Sequence, residues 1–303
     1  MQVIKFPSGD QRMKRNAFTL AVLAMASLIC HPASAQKVNE PQNTNIQWSL
    51  PYPPFRIVGN VYYVGTYDLA CYLIVTSKGN ILINTGLASS EKMIKESIVA
   101  LGFNPDDTKI LLTTQAHYDH VAAMAAIKKR TGAKMMANEK DAGVLTDGGS
   151  SDYELGKNGS MYKPVKVDRL LKNGDTIALG DMRLVMLHHP GHTKGSCSYL
   201  FDVKDEQKTY TVLIANMPTI ITDKNFSDIP SYPDIAKDYA YTFNALKQLS
   251  FDLWLSSHAG QFGLHAKHKP GDGYNPVAFN DRQGYDKAVS ELEVQYVSKL
   301  KEK

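Results

Sequence analysis

The stretch Gln115-Ala116-His117-Tyr118-Asp119-His120 places two imidazoles, a carboxylate and an amide within six residues. Imidazole nitrogen and carboxylate oxygen are donors that zinc favours, and a catalytic zinc site keeps one position open for water. Isolated histidines recur in Pro190-Gly191-His192-Thr193-Lys194-Gly195 and in Ser256-Ser257-His258-Ala259-Gly260. A lone histidine in such a turn is most simply a surface or capping residue. His117, His120, His192 and His258 together, in these contexts, point instead to a metal site. Gln115 is different, because a neutral amide oxygen is a weak zinc donor beside imidazole; weak ligation and a local hydrogen bond are equal readings of it. His188, His189, His265 and His268 are read as structural.

These residues need elements to hold them. Residues 109–112 form an apolar run that reads as a short buried strand, and residues 121–130, rich in Ala and Met, read as a helix ending at Gly132. Gln115 and His117 are two apart at a strand end, so both point to one side. Asp119 and His120 lie past the turn and reach a neighbouring position. Further strands are expected at 61–64, 70–75, 81–84, 133–137, 165–171, 176–179, 182–187, 196–203, 209–215 and 253–255, with a hairpin turn at Lys78-Gly79-Asn80. Helices are expected at 89–101, 139–145, along Ile235, Tyr239, Phe243, Leu246 and Leu249, and along Tyr285, Val289, Leu292, Tyr296 and Leu300. Residues 148–163 carry Gly, Ser and Asn without periodicity and read as a loop, with a binding lid and simple disorder as equal readings. Strands followed by helices in each half suit an α/β chain with two sheets face to face and helices outside.

The first stretch resembles the His-x-His-x-Asp-His signature of the metallo-β-lactamase superfamily, with Gln115 in the first His position. The Pro-Gly-His-Thr and Ser-His motifs follow in that superfamily's order and spacing. The chain is most similar to the third subclass of class B β-lactamases, and within it to the Gln-bearing GOB-type enzymes, as Asn216-Met217-Pro218 also indicates. The likeness covers essentially all of the chain after the first few dozen residues. It implies an αββα sandwich of two mixed sheets. It also implies one zinc site from Gln115, His117 and His192 and a second from Asp119, His120 and His258. One or two zinc ions are expected, with the second site dominant. Asp119 is then the catalytic residue, binding metal and orienting the attacking water. Thr219 is a candidate for the substrate carboxylate, with a plain loop role as the alternative. The implied activity is hydrolysis of the β-lactam ring of penicillins, cephalosporins and carbapenems, which confers antibiotic resistance.

Some positions depart from the superfamily's pattern. Asn84 stands where Asp is frequent and reads as a turn residue before Gly86. Asn216 stands where many relatives use a metal-bridging Asp, which argues against the alternative of a lactonase or glyoxalase-type thioesterase. Met217 falls where the first lactamase subclass has a Cys ligand and reads as packing. A binding protein with a degenerate site is the other alternative, motivated by Gln115 and opposed by the intact Asp119, His120 and His258. Ser-x-x-Lys at 89–92 and 160–163 lacks the companion motifs of serine lactamases.

The 303 residues are 43% hydrophobic, enough for a large core in one domain spanning 36–303. The net charge of +4 is carried mostly by residues 1–35, where Lys5, Arg12, Lys14 and Arg15 face only Asp10. No basic stripe argues for nucleic acid. The partner is expected to be a small β-lactam, and the protein a monomer. Cys71 and Cys197 lie in strand-like runs and read as buried free thiols. Residues 1–35 read as a secretory signal peptide: Lys14-Arg15, an apolar run from 17 to 29, and Ala33-Ser34-Ala35 before Gln36, with Met13 as an alternative start. A periplasmic protein with no membrane attachment after cleavage is expected. N-terminal sequencing of protein recovered from the periplasm should begin at or near Gln36; an intact Met1 on soluble cytoplasmic enzyme contradicts export.

Overall fold

Successive residues of a strand face opposite sides of its sheet, and this chain uses both sides. The computed structural model describes residues 37–42, 45–206 and 208–302; the leader expected at 1–35 lies outside the described residues. Strands β1 (Phe55–Val58), β2 (Val61–Tyr63), β3 (Tyr72–Thr76), β4 (Gly79–Ile83), β5 (Thr108–Leu112), β6 (Lys134–Asn138) and β7 (Arg169–Leu171) form one sheet in chain order. Strands β8 (Thr176–Leu179), β9 (Met182–His188), β10 (Cys197–Lys204), β11 (Thr209–Ala215) and β12 (Leu253–Ser256) form another, ordered β12-β11-β10-β9-β8. Both are mixed: β1 to β4 pair antiparallel and β4 to β7 parallel. In the second sheet only β11 and β12 are parallel.

Tyr72, Ile74, Ile81, Ile83, Ile110 and Leu112 point into the core between the sheets, where they meet Leu184, Met186, Tyr199, Phe201, Val212 and Ile214. The intervening Leu73, Leu82 and Leu111 point the other way. They pack under α1 (Ser90–Ala100) and α3 (Met124–Thr131) through Ile94, Ile98, Met124 and Ile127. Each such aliphatic side chain contributes about 1.5–3 kcal/mol on burial, so alternation alone commits every central strand to two layers. Helices α5 (Ile235–Lys247) and α7 (Arg282–Lys299) bury Tyr239, Phe243, Leu246, Tyr285 and Val289 against the second sheet's cluster. The result is the expected αββα sandwich.

Local differences have physical causes. The helix expected from 121 is broken: α2 (Tyr118–Val121) is a single turn, and α3 starts only at Met124. The Ala122 N–H bonds the Gly86 carbonyl as well as that of Tyr118, which ties this turn to the end of β4. Gly132 ends α3 at φ +69, as expected. The hairpin turn sits at Ser77-Lys78, because Thr76 pairs with Gly79 and Asn80 is already in β4. Strand β1 was not expected, and Leu300 is 48% exposed rather than on a buried face. Short helices α4 (Ala142–Thr146) and α6 (Leu264–Lys267) complete the chain.

Asn84, just past β4, is the one non-glycine residue with positive φ (+61) among the described residues, and it is fully buried. Its Oδ1 accepts from the Thr114 N–H (3.0 Å) and from the Thr113 and Thr114 hydroxyls (3.2 Å each). It is thus a turn residue, and it also brackets the two residues before Gln115. A non-glycine in this conformation and a buried donor without a partner each cost on the order of 1–3 kcal/mol. Asn84→Ala should therefore lower unfolding stability by about 2–4 kcal/mol. Asn84→Gly, which loses the bonds but relieves the backbone, should cost less. Urea denaturation of the two variants checks this, and Ala no worse than Gly contradicts it.

Candidate metal centre

Three chain segments at one rim of the sandwich supply the polar residues. The first follows β5: Thr113 and Thr114, then Gln115, Ala116 and His117, which caps α2 and so sends Asp119 and His120 into its first turn. The second is the turn between β9 and β10, where Gly191 has φ +128 and no room for a Cβ, the Tyr239 ring lying 2.8 Å from that position. The third follows β12 and carries His258.

In the first group, His117 Nε2 lies 3.2 Å from Asp152 Oδ2, and His192 Nδ1 lies 2.7 Å from the Thr219 carbonyl. Carboxylate and carbonyl oxygens only accept, so each of these ring nitrogens carries the proton; the tautomers follow from the partners. The opposite nitrogens, His117 Nδ1 and His192 Nε2, are then lone pairs facing each other at 3.1 Å. Facing lone pairs are satisfied by a shared cation, or by a proton on one ring. Burial would lower the His117 imidazole, but Asp152 outweighs it and raises it. Burial and the neighbouring His117 push His192 down to about 3. Gln115 is 4% exposed, and its Oε1 has no hydrogen-bond partner. An orphaned buried acceptor is costly, and a metal ion relieves that cost.

In the second group, Asp119 Oδ2 lies 3.1 Å from His120 Nε2 and 3.4 Å from His258 Nε2. The donor atoms of Asp119, His120 and His258 all fall within 4.8 Å of one another. His258 Nδ1 donates to Asp68 Oδ2 (2.9 Å), which turns its Nε2 toward Asp119. Burial would raise the Asp119 carboxyl, but His120 and His258 hold it well below the usual carboxylate range. Burial lowers the His120 imidazole, and its Nε2 has no hydrogen bond. Asp68 also accepts from Trp48 Nε1 (3.0 Å) and the Gly260 N–H (3.0 Å). The Trp48 ring lies 5.7 Å from that of His258.

Both groups open onto one cavity of about 670 Å³, walled by Trp48, Leu155, Met217, Thr219 and Ile221. Gln115, His117, Asp119, His192 and His258 line it directly, and His120 joins through Asp119. Thr219 sits against His192, with its hydroxyl 3.0 Å from Nδ1. Met217 is buried at the cavity wall. His189 is buried on the Ser198 hydroxyl (2.7 Å), outside this group. Cys71 and Cys197 are buried free thiols, and burial raises the Cys197 thiol to about 12. Sequence reasoning missed Trp48, Asp68, Asp141 and Asp152. None has a diagnostic spacing, although Asp141 follows β6 at its carboxyl end, where sites in parallel sheets gather.

Residues 65–205 match the metallo-beta-lactamase superfamily. Among solved structures, the class B3 di-zinc metallo-beta-lactamase LRA-12 from an Alaskan soil metagenome is 65% identical, with TM-score 0.86, covering 87% of this chain and 100% of its own. The metallo-beta-lactamase GOB-18 from Elizabethkingia meningoseptica is 57% identical, with TM-score 0.88, covering 88% and 99%. The chain belongs to the metallo-beta-lactamase superfamily. The curated relatives it matches are more distant. A hydroxyacylglutathione hydrolase of Chelativorans sp. (strain BNC1) is 28% identical over 114 residues, 38% of this chain and 36% of its own length. A probable metallo-hydrolase of Burkholderia pseudomallei (strain 1710b) is matched over 37% of its own length.

Proposed function

We propose that the protein hydrolyses the β-lactam ring of antibiotics with zinc and thereby confers resistance. The observation that carries this reading is the convergence of histidine nitrogens and Asp119 on one cavity, in a chain 65% identical to a B3 metallo-beta-lactamase. The donor set fits zinc: Gln115, His117 and His192 would hold one ion, and Asp119, His120 and His258 another. When bound, zinc supplies a Lewis acid that brings the pKa of water to about 7 and polarises a carbonyl.

The chain's own residues do the rest. Asp119 is anionic at neutral pH and offers a carboxylate oxygen that accepts a hydrogen bond from the attacking water. Asp68, Asp152 and the Thr219 carbonyl fix which nitrogen of His258, His117 and His192 faces the cavity. Trp48, Leu155, Met217 and Ile221 would form an apolar wall for the bicyclic body of the drug, and the Thr219 hydroxyl, on the same cavity wall, would meet its carboxylate. Asn216 is 1% exposed, and its amide group cannot bridge two metals as a carboxylate does, which disfavours lactone and thioester hydrolysis. Export through residues 1–35 to the periplasm and action as a monomer belong to the same reading. Among the described residues, no helix is long and apolar enough to cross a membrane.

A chromogenic cephalosporin, a lactone and a thioester should be compared with and without chelator. Chelator-sensitive turnover of the cephalosporin alone is expected; turnover mainly of either other substrate overturns the reading. His258→Ala should lose most of the lactam turnover and one zinc while keeping its melting profile.

The two groups differ in donor strength. The first has two imidazoles and a neutral amide, the second a carboxylate and two imidazoles, so zinc should fill the second first and support turnover there. Changes in residues that merely orient ligands shift metal affinity by about 10–100-fold, so Gln115→His should tighten the weaker equivalent by more than about tenfold. Zinc titration with activity in parallel reads this. Two equal affinities in the wild type, or activity only with the second equivalent, contradict it.

A further inference from the structure

Asp141 is 2% exposed, and no ion pair to it occurs among the described residues. A carboxylate buried without a cation is unfavourable unless strong hydrogen bonds compensate. Its Oδ2 accepts from the Ala116 N–H (3.0 Å) and the Thr193 hydroxyl (2.7 Å), and its Oδ1 accepts from the Gly195 N–H (2.7 Å). Ala116 lies between Gln115 and His117. Thr193 follows His192. One carboxylate therefore grips both segments of the first group.

The surroundings reinforce the grip. The Ala116 carbonyl accepts from the Tyr162 hydroxyl (2.7 Å), so that peptide is held on both sides. Gly195 lies so flat on Asp141 that a Cβ there would fall 2.5–2.6 Å from its N, Cβ and Cγ. The Thr193 hydroxyl is fixed a second time by Ser196 Oγ (2.8 Å). No hydrogen bond from Asp141 reaches Asp119, His120 or His258; these are held by Asp68 and by one another.

We propose that Asp141 is a positioning residue that sets the spacing of His117 and His192, and so the affinity of the first metal site without that of the second. The inference rests on the proposed two-site assignment. The geometry binds the two loops at fixed separation, and that separation keeps the facing nitrogens 3.1 Å apart. Losing the clamp lets the loops drift independently.

The test compares wild type, Asp141→Asn and Asp141→Ala by zinc titration against a competing chelator and by amide hydrogen exchange of the metal-free proteins. Asn retains one acceptor oxygen and presents a donor in place of the other, so it must give up the Ala116 N–H or the Gly195 N–H, whichever meets its amide nitrogen. The weaker zinc equivalent should loosen by about 10–100-fold, as for other residues that orient metal ligands, while the tighter one changes by less than about threefold. Exchange at Ala116 or Gly195 should accelerate in the Asn variant and at both in the Ala variant. Unchanged affinity of the weaker equivalent overturns the proposal, as does equal loosening of both. If wild type takes up a single zinc, the two-site reading has failed; the exchange rates then decide the clamp alone, and unchanged protection at Ala116 and Gly195 refutes it. Asp141→Asn keeps shape and volume, so a decision remains if Asp141→Ala does not fold.

Discussion

Two buried imidazoles, His117 and His192, face each other through nitrogens 3.1 Å apart, each locked by an acceptor on its far side. That arrangement calls for a shared cation or for a proton on one ring. In the second group the partner is an anion instead: Asp119 Oδ2 lies 3.4 Å from His258 Nε2, and Asp119 and Asp68 together outweigh burial and raise the His258 imidazole. The tautomers are set by groups behind the ligands: Asp152 on the loop of residues 148–163, the Thr219 carbonyl, and Asp68 before β3. A site of this kind is made by the acceptors behind the ligands as much as by the ligands.

The sandwich exists at this rim because those acceptors and ligands come from both sheets. The Cys197 N–H of β10 bonds the Thr114 carbonyl beyond β5 (2.8 Å), and the Ser257 hydroxyl bonds Thr114 Oγ1 (2.9 Å). Asn84 closes the bracket from β4. The Asp152 carboxylate also accepts from the Glu154 and Leu155 N–H groups through Oδ1 (2.9 and 2.7 Å), so Leu155 on the cavity wall and the ring of His117 share one anchor. Cavity wall and histidine geometry are therefore mechanically joined.

Much of this was legible in the sequence where a short pattern has one physical solution. The run to Leu112 could only be a buried strand, Gly132 could only stop a helix at positive φ, and three His-bearing turns could be grouped by type. The rest depends on contacts remote in the chain. The break at Ala122 follows from the Gly86 carbonyl, 36 positions earlier. Strand β1 is four residues long at a sheet edge beside Pro53 and Pro54, where propensity argues against it. Asp68, Asp141 and Asp152 are ordinary aspartates until the fold buries them against histidines and loop amides. The sequence named the donors and left unsaid which nitrogen each would present.

The central claim is that zinc is held first by Asp119, His120 and His258. Crystals grown with one equivalent of zinc and measured on both sides of the zinc absorption edge test it directly. The expected result is an anomalous peak among Asp119, His120 and His258. A peak confined to Gln115, His117 and His192, or no peak at this rim, would contradict it.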